Sequence, residues 1–196
     1  MSDRAGAGFW VFLAAWLSAA CLLLLTGAIR ALPPGPWPQM FGMASFVGGT
    51  LAFFTWSKLH DRGMGLDLRR LTLFQSWRII PALTFFYFYY KLGKLPYDFV
   101  SVAGYGDLTV AILAVIAAGI AGSRASWRGK AVAVFHVLGM FDLTAVLVTA
   151  VRNLVKDSAI MDPFRELPLG LLPLILVPVT LIAHVIALAK ISKGRL

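Results

Sequence analysis

Cysteine and charge are both scarce in this 196-residue sequence: there is one Cys, and Asp, Glu, Lys and Arg together make up 14%. A single Cys excludes a disulfide scaffold and any Cys-x-x-Cys redox or zinc pair. Soluble domains carry about 25% charged and roughly 45–50% apolar residues. Here hydrophobic residues reach 59% and the mean hydropathy is +0.80, so an ordinary water-soluble globule is excluded. Disorder and collagen are excluded by the same apolar dominance and by the lack of a Gly-X-Y period. No nucleotide-binding glycine loop, zincin motif or Gly-x-Ser-x-Gly elbow occurs, so hydrolase chemistry has no support and enzyme activity stays open. At this length the chain is expected to form one domain over residues 1–196.

What is present is a series of continuously apolar stretches. A helix that crosses a bilayer needs about 20 mostly apolar residues. Six stretches meet or approach that length, at about residues 9–29, 37–56, 71–90, 107–122, 131–151 and 169–189. Barrel strands would alternate in polarity every second residue, and these stretches do not. The expected fold class is all-α, a polytopic bundle of six transmembrane helices. The first stretch runs on past Ala19-Ala20-Cys21 through Leu22 to Leu25, too far for a signal peptide, and reads as a retained helix with Cys21 as a packing residue. Small residues one turn apart, Ala44 with Gly48 and Ser45 with Gly49, suit close internal helix packing. Ile79-Ile80-Pro81 and Leu176-Val177-Pro178 each interrupt a stretch.

Lys and Arg in short connections set orientation. With the N-terminus inside, one side collects Arg4, Lys58, Arg62, Arg69, Arg70, Arg124, Arg128, Lys130, Lys190, Lys193 and Arg195. The other side holds Arg30, Lys91, Lys94, Arg152, Lys156 and Arg165, offset in its last connection by Asp157, Asp162 and Glu166. Both termini are therefore expected in the cytoplasm. The net charge of +9 needs no partner beyond lipid headgroups of the bilayer, and nucleic-acid binding is not expected.

Ionisable groups inside hydrocarbon cost on the order of 3 kcal/mol each and need partners, so they mark the informative positions. At 1.5 Å per residue from the cytoplasmic ends, Arg78, His136 and His184 lie about 8–10 Å deep, Asp142 about 16 Å and Asp107 about 22 Å. Arg78 is expected to pair with Asp142. Asp107 is placed about 12 Å above Arg78, out of direct reach, and reads equally as a helix N-cap at the water boundary. Gln75 shares the face of Arg78, and Thr180 that of His184. A buried pair that only fixes helix register accounts for the same residues. His136 and His184, level on antiparallel helices, suit packing, a proton relay or bis-His ligation of haem b. A metal shared with Asp142 is disfavoured, because six residues along the helix turn that side chain about 120° away. Gly104-Tyr105-Gly106-Asp107 has the letters of a potassium filter, but Pro96 stands where a pore helix would be, and Leu108 opens the next span at once.

The segments Gln75-Ser76-Trp77-Arg78, Leu95-Pro96, Ala103-Gly104-Tyr105-Gly106-Asp107, Leu138 to Leu143, and Pro173 through Pro178 to His184 resemble a group of small bacterial six-span integral membrane proteins. Members of that group carry an Arg in the third span, Gly-x-Gly-Asp opening the fourth, and a Pro-rich sixth span ending in His. The resemblance covers roughly residues 70–190 and implies a bacterial inner membrane location, but brings no activity with it. The leading functional expectation is a transport or ion-translocating protein. Arg78, Asp142, His136 and His184, with Gln75, Asp107 and Thr180, would bind a small anion or relay protons. Its alternatives are a b-type haem electron carrier ligated by His136 and His184, or a non-catalytic subunit or assembly factor in a homo-oligomer or membrane complex.

Overall fold

The computed structural model describes residues 3–195, with side chains from Ala14 onward. Every regular element among these residues is helical. The helices are α1 (Asp3–Leu25), α2 (Trp37–Thr55), a short α3 (Ser57–Gly65), α4 (residues 68–91), α5 (Tyr97–Ala121), α6 (Arg128–Lys156) and α7 (Leu172–Ser192).

Six spans are expected from the sequence, and among the described residues three helices, α5, α6 and α7, are long and apolar enough to cross a membrane. α2 has the length at 19 residues but is diluted by Trp37, Pro38, Gln39 and three glycines. The side-chain description of α1 begins at Ala14, leaving a shorter apolar helix at Ala14–Leu25. α4 is segmented. An α-helical start at Leu68–Phe74 tightens into a 3-10 turn at Gln75–Arg78, and a wide π stretch follows Pro81 at Ala82–Phe86. Pro81 has no N–H to give and its ring crowds the carbonyl four residues back, which opens the turn. The second Pro-marked stretch behaves alike: Leu172–Leu176, containing Pro173 and preceding Pro178, is also π-helical.

The fourth helix departs most from expectation. It starts at Tyr97, just after Pro96, and not at Asp107. Pro96 is extended and sits at the N-cap, so it opens this helix and does not interrupt a loop. Asp107 is thus well inside a 25-residue helix and is no N-cap. Gly104-Tyr105-Gly106 is helical too, so its carbonyls are not free to line a filter.

Several polar side chains lie inside the bundle while large apolar ones face outward. Arg78, Gln75, Thr72, His136, Thr180 and His184 are completely buried, whereas Phe141 is 73% and Val155 83% exposed. Close helix contacts rest on glycine. A Cβ on Gly42 would strike the carbonyl of Pro173, and one on Gly49 the Ile182 side chain, so α2 lies tightly along α7. Cys21 packs beside the Ala20, Leu24 and Leu174 cluster between α1 and α7.

The two ends of the bundle carry different charge. At one end Lys190 Nζ donates to the Met64 carbonyl at 2.6 Å, Lys193 meets His60, and Arg69 lies against Gly122. Among the described residues no Lys or Arg at this basic end has an acidic partner. At the other end three of the six basic residues are paired, Arg30 with Glu166 at 2.6 Å, Lys156 with Asp98 at 3.2 Å, and Arg165 with Asp162 at 3.1 Å, while Lys91 and Lys94 lie over the rings of Tyr87 and Tyr89. The buried Arg165 also donates to the Ile29 and Leu32 carbonyls, tying the α1–α2 connection to the segment before α7.

Candidate functional site: a guanidinium between two carboxylates

Arg78 closes the 3-10 turn of α4 and points into the bundle. Its Nε donates to Asp107 Oδ1 at 2.5 Å, and Nη2 meets both Asp107 Oδ1 and Asp142 Oδ2. The contact with Asp142 agrees with the depth estimate. The contact with Asp107 does not, and the geometry of α4 explains the difference. The helix begins three residues earlier than expected, and its 3-10 turn rises about 2 Å per residue, not 1.5 Å. Arg78 therefore lies about 17 Å from the basic end. Asp107 and Asp142 each stand 14 residues from the basic ends of α5 and α6, about 21 Å. The remaining 4 Å or so is within reach of the Arg stem. Gly106 explains the spacing of its motif, because a Cβ there would occupy the position of the Asp142 carboxylate.

The trio does not balance in charge. One guanidinium faces two carboxylates, and when both are ionised the buried group carries one net negative charge. Among the described residues no other cationic side chain pairs with it. Arg78 Nη1 and both amide atoms of Gln75 are buried without a partner.

A second polar string lies toward the basic end. Thr72 Oγ1 donates to the Leu68 carbonyl at 2.8 Å, so its contact with His136 Nε2 at 3.2 Å is one in which it accepts. That assigns the His136 proton to Nε2 and leaves Nδ1 as acceptor. His184 Nδ1, 2.7 Å away, must then be the donor, and His184 Nε2 is left as a bare lone pair, buried and unpartnered. The His184 ring lies against Gly139, where a Cβ would overlap it, three residues before Asp142 on α6. The string is Thr72, His136 and His184, and it ends against Gly139, about one helical turn along α6 from Asp142.

Imidazole–metal bonds run about 2.0–2.1 Å, so an iron between two histidines needs roughly 4 Å between the ligating nitrogens. At 2.7 Å, directly hydrogen-bonded, with ring planes at 78°, His136 and His184 leave no gap for a macrocycle. Among the described residues no three His, Cys, Asp or Glu side chains are grouped to hold a metal ion.

Thr180 is turned away from His184 toward Trp77, whose Nε1 donates to it at 3.1 Å. Sequence reasoning missed Thr72, Trp77, Gln39 and Gly139. Thr72 had a signal: Thr72, Gln75 and Arg78 repeat every three residues, a spacing that puts each on the same helix face as the next. Gln39, 8% exposed with an unpartnered Oε1, and Trp77 line a cavity of about 60 Å³. It lies between the trio and the paired-charge end, bordered by Arg78, Asp107, Phe86, Phe99 and Phe164.

No curated protein and no solved structure matches the chain. Residues 36–192 match a family described as a domain of unknown function, DUF8737, and this stretch holds every residue of the trio, the histidine string and the cavity. The chain belongs to that family.

Proposed function

We propose that the chain is a six-pass integral protein of the bacterial inner membrane, with both termini in the cytoplasm, that translocates protons through the Arg78 trio and the histidine string. The three long apolar helices, the exposed apolar flanks and the buried polar interior support the bilayer as solvent. α1, α2 and α4 supply the other three passes, with Pro38, Gln39 and Gly42 of α2 and Thr72, Gln75 and Arg78 of α4 buried against neighbouring helices. The larger number of Lys and Arg at one end, none with an acidic partner among the described residues, supports the orientation.

One observation carries the activity: a single guanidinium shared by two carboxylates. A structural pin needs one carboxylate. The second makes the group neutral only when it holds one further positive charge, and a proton is the smallest that serves. In this reading the anion considered from sequence is displaced, because both carboxylates already take the guanidinium charge. A proton leaving the trio reaches the bare Nε2 of His184. The ring then releases its Nδ1 proton to His136 Nδ1, and His136 releases its Nε2 proton toward Thr72 and the basic end. Each ring gains one proton and loses one, so the string is reset by rotation or by the next proton.

Reconstituted vesicles containing a trapped pH dye, driven by a potassium diffusion potential, test this. The wild type should carry protons well above empty vesicles, and Asp107→Asn and His136→Ala should fall to the level of empty vesicles. Wild-type flux in both variants would refute the pathway.

A further inference from the structure

The cavity beyond the trio has a chemistry of its own. It is partly open and lined mainly by apolar side chains, among them four aromatic rings, Trp77, Phe86, Phe99 and Phe164, the last three set edge to face at 5.8 and 5.4 Å. Trp77 is held in place by its bond to Thr180. Two of the lining residues carry acceptors: Asp107, and Gln39, whose Oε1 is buried and has no donor. An unpartnered buried acceptor is a costly arrangement that a ligand N–H relieves. The charge that the trio lacks is positive, and aromatic faces favour a cation over an anion. At about 60 Å³ the cavity holds about four water-sized groups, which excludes bulky quaternary amines. The unpartnered Nη1 of Arg78 is a donor and offers a cation nothing, but a water entering with the ion meets it.

We infer that this cavity binds ammonium or a short primary alkylammonium ion, its N–H groups donating to Asp107 and Gln39 Oε1 and its methyl group packed among the four aromatic rings. This rests on reading the trio as a site short of one positive charge. The ion and the proton then compete for the same carboxylate, so the protein exchanges one for the other.

Radiolabelled methylammonium binding to the purified full chain in detergent tests the inference. Saturable binding is expected, displaced by ammonium and not by tetraethylammonium. Asp107→Asn and Gln39→Leu should each weaken it at least tenfold, with melting curves showing that both variants are folded. Should Asp107→Asn fail to fold, Gln39→Leu, which leaves all the charges in place, decides the question alone. Wild-type binding no greater than that of either folded variant, or equal displacement by tetraethylammonium, overturns the site. Proton flux without methylammonium binding removes this inference and leaves the proton pathway standing. Binding without flux supports the ammonium site and removes the pathway.

Discussion

The surplus carboxylate makes an asymmetric prediction about stability. At an effective dielectric of about 20, each guanidinium–carboxylate attraction at 4 Å is about 4 kcal/mol. Asp107 and Asp142 share one Nη2, so their mutual repulsion is nearly as large as the attraction the second carboxylate gains. Ionising that second carboxylate yields close to nothing before its desolvation is counted. Removing either acid, as Asp107→Asn or Asp142→Asn, leaves a balanced pair and should change stability by less than about 1 kcal/mol. Removing the cation, as Arg78→Gln, strands two buried carboxylates and should cost about 3–5 kcal/mol. For a chain of this size that is a fall of about 6–20 °C in Tm, followed by tryptophan fluorescence in detergent. Adding Asp107→Asn to Arg78→Gln should recover part of the loss. If both single Asp variants melt as low as Arg78→Gln, the trio holds no surplus charge and acts only as a pin between α4, α5 and α6.

Three further outcomes are expected. Gly139→Ala should push the His184 ring off α6, cut vesicle proton flux at least tenfold and cost about 1–3 kcal/mol, while binding of methylammonium at the trio persists. Thr72→Val removes the acceptor that fixes the His136 tautomer, so nitrogen NMR of the imidazoles should show both tautomers, with a stability loss of about 1–3 kcal/mol. Fluorescent-protein fusions at either terminus should fluoresce, and periplasm-dependent alkaline phosphatase fusions at the same points should be inactive; an active fusion at one terminus only would mean an odd number of passes.

Much of the fold was legible because a polar side chain in an apolar run stands out. Arg78, His136, Asp142 and His184 were all found on the cost of burying them, and all are at least partly buried in the bundle interior. The start of the fourth helix was misread for a related reason. Tyr97 to Gly106 mixes aromatics, glycines and Asp98, so hydropathy alone gives no edge, and Pro96 before it suggested a loop. The π stretches were only hinted at: proline marks where a helix can open, but its neighbours decide how.

All-helical character and the small set of buried charges follow from composition and hydropathy alone, because the cost of exposing polar backbone or stranding charge in an apolar medium does not depend on where the helices sit. Which acids share the guanidinium, which imidazole nitrogen carries a proton, and the existence of a cavity next to Gln39 depend on ångström offsets between helices remote in the chain. Those offsets come from a 3-10 turn, two proline-opened turns and the glycines at 42, 106 and 139, which let neighbouring groups approach where a Cβ would keep them apart.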